Sequence, residues 1–199
     1  MFQLTNSWLL SIKTDEGIDG YGEVENSKSY LKPHILFYRP LILGQDPTDV
    51  ERVMLNIRHE SKPRFRGVSI SGDGATGWSK FVYHKQLPEP VCMGSIVRLS
   101  EKPRHKKNRI LFANPHNPDD RQRKNVTVKL SYDEGETWPV ARSVEPGISG
   151  YSDLAVGEDG FAYCFYERGS VDTSHYRPAQ LTVGRFNLEW LTDSRDRFE

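Results

Sequence analysis

The sequence has 199 residues, of which 36% are hydrophobic and 11% aromatic, enough apolar material to build a packed core and too much for a disordered chain. Its 27 basic and 27 acidic side chains cancel, which removes any general electrostatic case for nucleic acid or an anionic membrane, so an acidic ligand needs a local cluster of arginines. No run approaches the roughly 18 apolar residues of a membrane span, and Cys92 and Cys164 sit in apolar sequence without metal-ligand spacing, which predicts two buried, reduced thiols.

The N-terminus, MFQLTNSWLLSIKTDEG, has no basic start and only a short apolar stretch, so the chain as written is expected to stay in the cytoplasm unless an export signal precedes it. Residues 7 to 24 alternate and turn: SWLLSIKT, then DEGIDG, then YGEV, a β-hairpin with Gly17 and Gly20 supplying the turn. Between 28 and 57 the apolar positions Leu31, Ile35, Leu36, Val50, Val53, Met54 and Ile57 fall near period 3.6, which predicts helix, with Asp46 or Thr48 as a cap. From about residue 62 short apolar runs recur between turns rich in Gly, Pro, Asp and Asn: RGVSIS, SIVRL, RILFAN, VTVKLSY, DLAVG, FAYCFYE and LTVGRFNL. That spacing predicts an all-β assembly, sandwich or propeller.

A repeated turn decides between the two. Residues 131 to 138 read Ser-Tyr-Asp-Glu-Gly-Glu-Thr-Trp after the strand VTVKL. Asp133 can accept backbone N–H bonds and close the turn after Ser131, Gly135 can take a positive φ, and Trp138 can fold back as an apolar plug. Sixty residues earlier Ser71, Asp73 and Trp78 hold the same places, with Ala75 and Gly77 where Gly and Thr are expected. Two copies, one per supersecondary unit, are the repeat signature of a propeller.

This motif is similar to the Asp-box of the sialidase family, and the resemblance extends from about residue 53 to 190. It implies a mainly β fold, a partial six-bladed sialidase β-propeller over 53–199 behind a small α+β segment, 1–52. It also implies a sialylated glycan or sialic acid as partner, no metal and no cofactor. Sialic acid carries its carboxylate on the anomeric carbon, and sialidases hold that anion with three arginines, whose planar fork matches two oxygens. The resemblance places Arg66, five residues before the first box serine, and Arg123, at the start of the strand entering the second box, in that clamp. Arg58 and Arg64 lie close to the first, and Arg121 beside the second. Tyr151, in S-G-Y-S-D-L-A, matches the family nucleophile, a neutral phenol where a carboxylate would be repelled by the substrate. Glu167, in C-F-Y-E-R-G, matches a carboxylate that orients one clamp arginine, and P-E-P-V-C-M-G-S-I-V-R-L at 88 to 99 resembles a blade strand expected to be structural.

The family's first arginine, its acid/base aspartate and the glutamate that activates the tyrosine have no match here. V-M-L-N-I-R-H at 53 to 59 resembles the strand that follows that glutamate, and Ile42 stands near its place. Residues 8 to 52 instead resemble the N-terminal capping domain of mandelate racemase and sugar-acid dehydratases of the enolase superfamily, through LLSIKTDEGIDGYGEV and LILGQDPTDVERV. The expectation is a fused or truncated product. Three functions follow in order: an incomplete retaining exo-α-sialidase, weakly active or inactive; a non-catalytic glycan-binding or vestigial propeller fragment; and, well behind, a sugar-acid dehydratase. Nothing specifies a symmetry of self-association.

Overall fold

The computed structural model describes residues 2–3, 7–13, 19–25, 53–60, 62–74 and 76–198. The chain divides into two compact units, Met1–Glu51 and Arg52–Glu199. In the first, β1 (Phe2–Gln3), β2 (Ser7–Lys13) and β3 (Asp19–Glu25) form an antiparallel sheet in that order. The hairpin register runs from Ser7 opposite Glu25 to Lys13 opposite Asp19. The helical pattern assigned to 28–52 lies outside the described residues.

Residues 53–57 are strand, not helix: β4 (Val53–Ile57) pairs with β5 (Phe65–Ser71), which pairs with β6 (Val82–Pro88). Five residues, four of them apolar, are too few for a helical period to outweigh pairing with a neighbouring strand. The second sheet has six strands, in the order β12-β11-β10-β9-β8-β7. They are β7 (Ser95–Ser100), β8 (Arg109–Pro115), β9 (Lys124–Ser131), β10 (Val140–Val156), β11 (Ala162–Arg168) and β12 (Gln180–Phe186). A short helix, α1 (Leu188–Thr192), follows, its N-terminus capped by the Asn187 side chain accepting from the Trp190 amide.

Strand β10 holds the architecture together. Its first half, Val140 to Ile148, pairs with β9, and its second, Ser149 to Val156, pairs with β11. Three register shifts fall between Ser143 and Ser152, around Pro146, which has no N–H to give the ladder, and Gly147. One strand thus ends one sheet unit and begins the next. Every residue of β8 is buried, because both faces of the middle unit are covered. Leu111, Ala113, Val126, Val128 and Leu130 pack on Leu154, Cys164, Tyr166, Phe186 and Leu191 on one side. Ile110 and Phe112 pack with Leu87 and Trp138 on the other. Both cysteines are free and buried.

The two box turns share one hydrogen-bond scheme. Ser131 Oγ donates to Asp133 Oδ1 at 2.8 Å and accepts from the Gly135 amide at 2.8 Å. Asp133 accepts from the Thr137 amide at 2.8 Å and hydroxyl at 2.5 Å. In the earlier copy Ser71 Oγ donates to Asp73 and accepts from the Gly74 amide, while Asp73 accepts from both groups of Thr76. Its glycine and threonine therefore act one place earlier than their counterparts, and Gly77, at φ 59°, takes up the extra residue before Trp78. The outcome differs at the tryptophans: Trp138 is 4% exposed and Trp78 36%.

Two predictions follow from this packing. Burial alone would raise the Asp133 carboxyl, but the bonds from Thr137 and Ser131 outweigh it and hold it below the usual carboxylate range. Its stabilisation is therefore present above about pH 4 and lost as pH falls through its depressed value. Asp133→Ala should cost about 2 kcal/mol at pH 7 and less at pH 3, measured by urea unfolding at both.

Lys129 is fully buried with its ammonium donating to the Gln86 carbonyl, and desolvation pulls its pKa down to about 7. The unfolded lysine keeps its proton to about pH 10, so the folded state gains on the unfolded between about pH 7 and 10. Lys129→Met should raise the thermal midpoint at pH 7 by about 2–4 °C and flatten stability across that window. A steeper slope in the variant would contradict the assignment.

Candidate functional site

Arg66 lies in the interior of β5, 3% exposed. Its Nε donates to Asn56 Oδ1 at 2.5 Å and its Nη2 to the Asn56 carbonyl at 2.8 Å. Its Nη1 donates to Glu89 Oε2 at 2.6 Å and to the Cys92 carbonyl at 2.9 Å. Four of the five guanidinium donors are thus taken by the protein. Glu89, fully buried, also accepts from the His59 amide at 2.6 Å, and burial raises its carboxyl pKa against the pull of those two partners.

Arg123, from the turn into β9, is arranged differently. It is 6% exposed, its Nη2 reaches the Val91 carbonyl at 3.4 Å, and its buried Nε has no hydrogen-bond partner. Aromatic rings bracket it instead, the guanidinium carbon lying 4.6 Å from the ring centre of Tyr151 and 4.8 Å from that of Tyr176. That buried donor is free to take an acceptor from a ligand or from water.

Tyr151 follows the register break in β10 and is 37% exposed. Its amide donates to Glu167 Oε2 at 2.9 Å. A side chain at Gly150 would meet the same oxygen at 2.2 Å, so the Glu167 carboxylate would have to swing away from it. Tyr151 and Glu167 line a cavity of about 170 Å³ with Met93, Asp153, Phe165 and Leu181.

A further cation comes from the end of β4. Burial works against the charge of Arg58, but its interaction with the Tyr151 side chain, with Glu60 and Cys92 nearby, pushes its pKa up. Its Nη2 also lies 3.3 Å from Glu60. Cys92 reports the same cluster: burial raises its thiol to about 11, modulated by Arg123, Glu167 and Arg58. The fold therefore brings Tyr151, Glu167, Arg123 and Arg58 together, and sets Arg66 in a buried frame with Glu89 and Asn56. Arg58 and Glu89 were missed from sequence. The signal for Arg58 was its place just past a strand, where functional side chains concentrate.

A phenol with one guanidinium packed on its ring and a second interacting with it electrostatically suits a small anionic ligand approached from solvent. No family model matches the chain. Over 143 residues, 70% of this chain, it is 31% identical to a sialidase of Micromonospora viridifaciens. Over 109 residues, 52% of this chain, it is 35% identical to a sialidase of Bacteroides fragilis (strain YCH46). A solved structure, the Hadza microbial sialidase Hz136, superposes with a TM-score of 0.57 at 29% identity, over 73% of this chain and 27% of that one. The fold is that of a partial sialidase-like β-propeller. The chain spans 20% of the length of each curated relative.

The Arg66 frame is open to a direct test. Glu89→Ala leaves that guanidinium buried with its charge unmatched, and should cost about 3–5 kcal/mol in chemical unfolding. A loss below about 0.5 kcal/mol would remove the pair from any structural role.

Proposed function

We propose that the chain forms part of a sialidase-type glycoside hydrolase site that takes the terminal sialic acid of a glycan. The observation that carries this reading is the half-exposed phenol of Tyr151 set between Arg58 and Arg123. Arg58 and Arg123 hold the carboxylate. Arg66, which the family resemblance places in the clamp, belongs to the frame, since four of its donors are already taken. Glu167 positions Tyr151 through its backbone amide.

In the retaining mechanism the Tyr151 oxygen bonds to the anomeric carbon as the bond to the leaving oxygen breaks. The leaving oxygen takes a proton from a general acid, the phenolic proton goes to a base, and water then releases the sugar. The acid/base aspartate and the activating glutamate of sialidases have no counterpart in these 199 residues. Loss of an acid catalyst costs about 10²–10⁴ in rate, so binding is expected to exceed turnover. One observation favours the non-catalytic alternative: the charge that acts on the Tyr151 side chain is the Arg58 cation, while the Glu167 carboxylate is engaged by the Tyr151 amide. The likeness of residues 8–52 to an enolase-superfamily cap adds no chemistry to this site.

Calorimetry with N-acetylneuraminic acid, alongside turnover of a fluorogenic sialoside, tests the proposal. Arg58→Ala and Arg123→Ala should each weaken binding about 10- to 100-fold. Tyr151→Phe should change binding by less than about 3-fold and abolish whatever turnover the wild type shows. Equal affinity for the acid and its methyl ester would sink the carboxylate clamp. Measured binding with no turnover in the wild type would favour the glycan-binding alternative.

A further inference from the structure

Tyr176 has no part in the site as described so far, yet it touches its central cation. It sits in the segment 169–179 between β11 and β12, polar in sequence and braced by its own side chains. Ser170 Oγ donates to the Ser174 carbonyl at 2.8 Å, Arg177 Nη1 donates to Asp172 Oδ2 at 2.5 Å, and the Tyr176 amide donates to Ser174 Oγ at 3.3 Å. The segment is closed at its base by Gly169 N–H to the Ile148 carbonyl at 2.7 Å and Ala179 N–H to the Arg168 carbonyl at 3.1 Å. This frame holds a tyrosine that is 57% exposed. Such a ring gains little from burial, and its contacts are with the neighbouring His175 ring, 4.0 Å between centres, and with a charge, its centre lying 4.8 Å from the Arg123 guanidinium carbon.

We infer that Tyr176 is a positioning residue, which fixes the plane of the Arg123 guanidinium so that its donor edge is presented to a ligand carboxylate. A carboxylate meets a guanidinium edge-on, in its plane, while aromatic rings meet it on its face. With Tyr151 at 4.6 Å and Tyr176 at 4.8 Å, two rings govern the orientation of a side chain whose recorded hydrogen bond, to the Val91 carbonyl, is 3.4 Å long. Its buried Nε is left without a hydrogen-bond partner. Tyr176 thus acts through Arg123 and needs no contact with the sugar. The inference rests on the carboxylate reading above for its consequence, and on the ring contact alone for its premise.

The test uses the full chain with Tyr176→Phe, Tyr176→Leu and Tyr176→Ala, titrated with N-acetylneuraminic acid by calorimetry. The contact is worth a factor of about 2 to 30 in the dissociation constant. Phe, which keeps the ring, should bind within about 2-fold of wild type. Leu and Ala should both fall by the full factor, and neither should weaken binding further in an Arg123→Gln background. Leu behaving like Phe, or an undiminished loss in that background, would overturn the inference.

The Nε–H resonance of Arg123 gives a readout without ligand. It should be ring-shifted alike in wild type and Phe and displaced in Leu and Ala. An unmoved resonance across the series overturns the inference whether or not the sugar binds. Failure of the wild type to bind, with the resonance displaced as expected, overturns the carboxylate reading and the consequence drawn from it.

Discussion

The structure depends on one buried cation being satisfied. A guanidinium removed from water needs acceptors for its donors and a counter-charge close by, and Arg66 finds them in separate places. Asn56 of β4 supplies a side chain and a carbonyl, and the segment after β6 supplies the Glu89 carboxylate and the Cys92 carbonyl. Between those last two stands Val91, a β-branched residue at φ 61°. That conformation costs a branched side chain about 1–3 kcal/mol and persists only where the surroundings over-determine it. Here Glu89 and Cys92 pin it on both sides, and its carbonyl is the one that Arg123 reaches. The buried pair thus holds the strained backbone that faces the second arginine, and the second arginine lies against the tyrosine.

The bend in β10 does the complementary work. A strand that stayed regular through 140–156 would keep both halves in one ladder. The register shifts pass it from β9 to β11 and leave Tyr151 at the seam, where its ring can meet side chains from other elements. Across that seam the Glu167 carboxylate lies 2.2 Å from where a Cβ at position 150 would stand, and it holds the Tyr151 amide. Local backbone irregularity and site geometry are one feature here, as bulges beside functional sites tend to be.

What the sequence made legible was whatever depends on neighbours in the chain. The short strands after residue 62 announce themselves by β-rich runs between turn residues, and the turns at Asp73 and Asp133 close on partners within five residues. What it hid depends on distance. Arg66 and Arg58 lie eight residues apart and look equivalent in sequence, but one is the interior of a strand whose acceptors include Glu89 and Cys92, more than twenty residues on, and the other stands past a strand end beside Tyr151. Spacing to the box cannot tell them apart, because the roles are assigned by acceptors that only the fold delivers. Val53, Met54 and Ile57 mislead for the same reason: the partner strand lies ten residues ahead. Tyr176 sits in polar sequence with no periodicity, and no local pattern points from it to Arg123.

The apolar side chains around the site act on its electrostatics as well as its shape. The cavity beside Tyr151 and Glu167 is walled by Met93, Phe165 and Leu181, and Phe165, Leu181 and Val183 continue as an exposed apolar face on β11 and β12. On the sheet that supplies Arg58, Leu55, Ile57 and Val82 are exposed likewise. Charges beside such walls interact more strongly than charges in open water, since the attraction scales inversely with the local dielectric. If Arg58 and Arg123 take an anion, as proposed, their hold on it strengthens the closer it lies to such apolar surface. Affinity at the site then depends on how much water those faces exclude, as well as on the guanidiniums themselves.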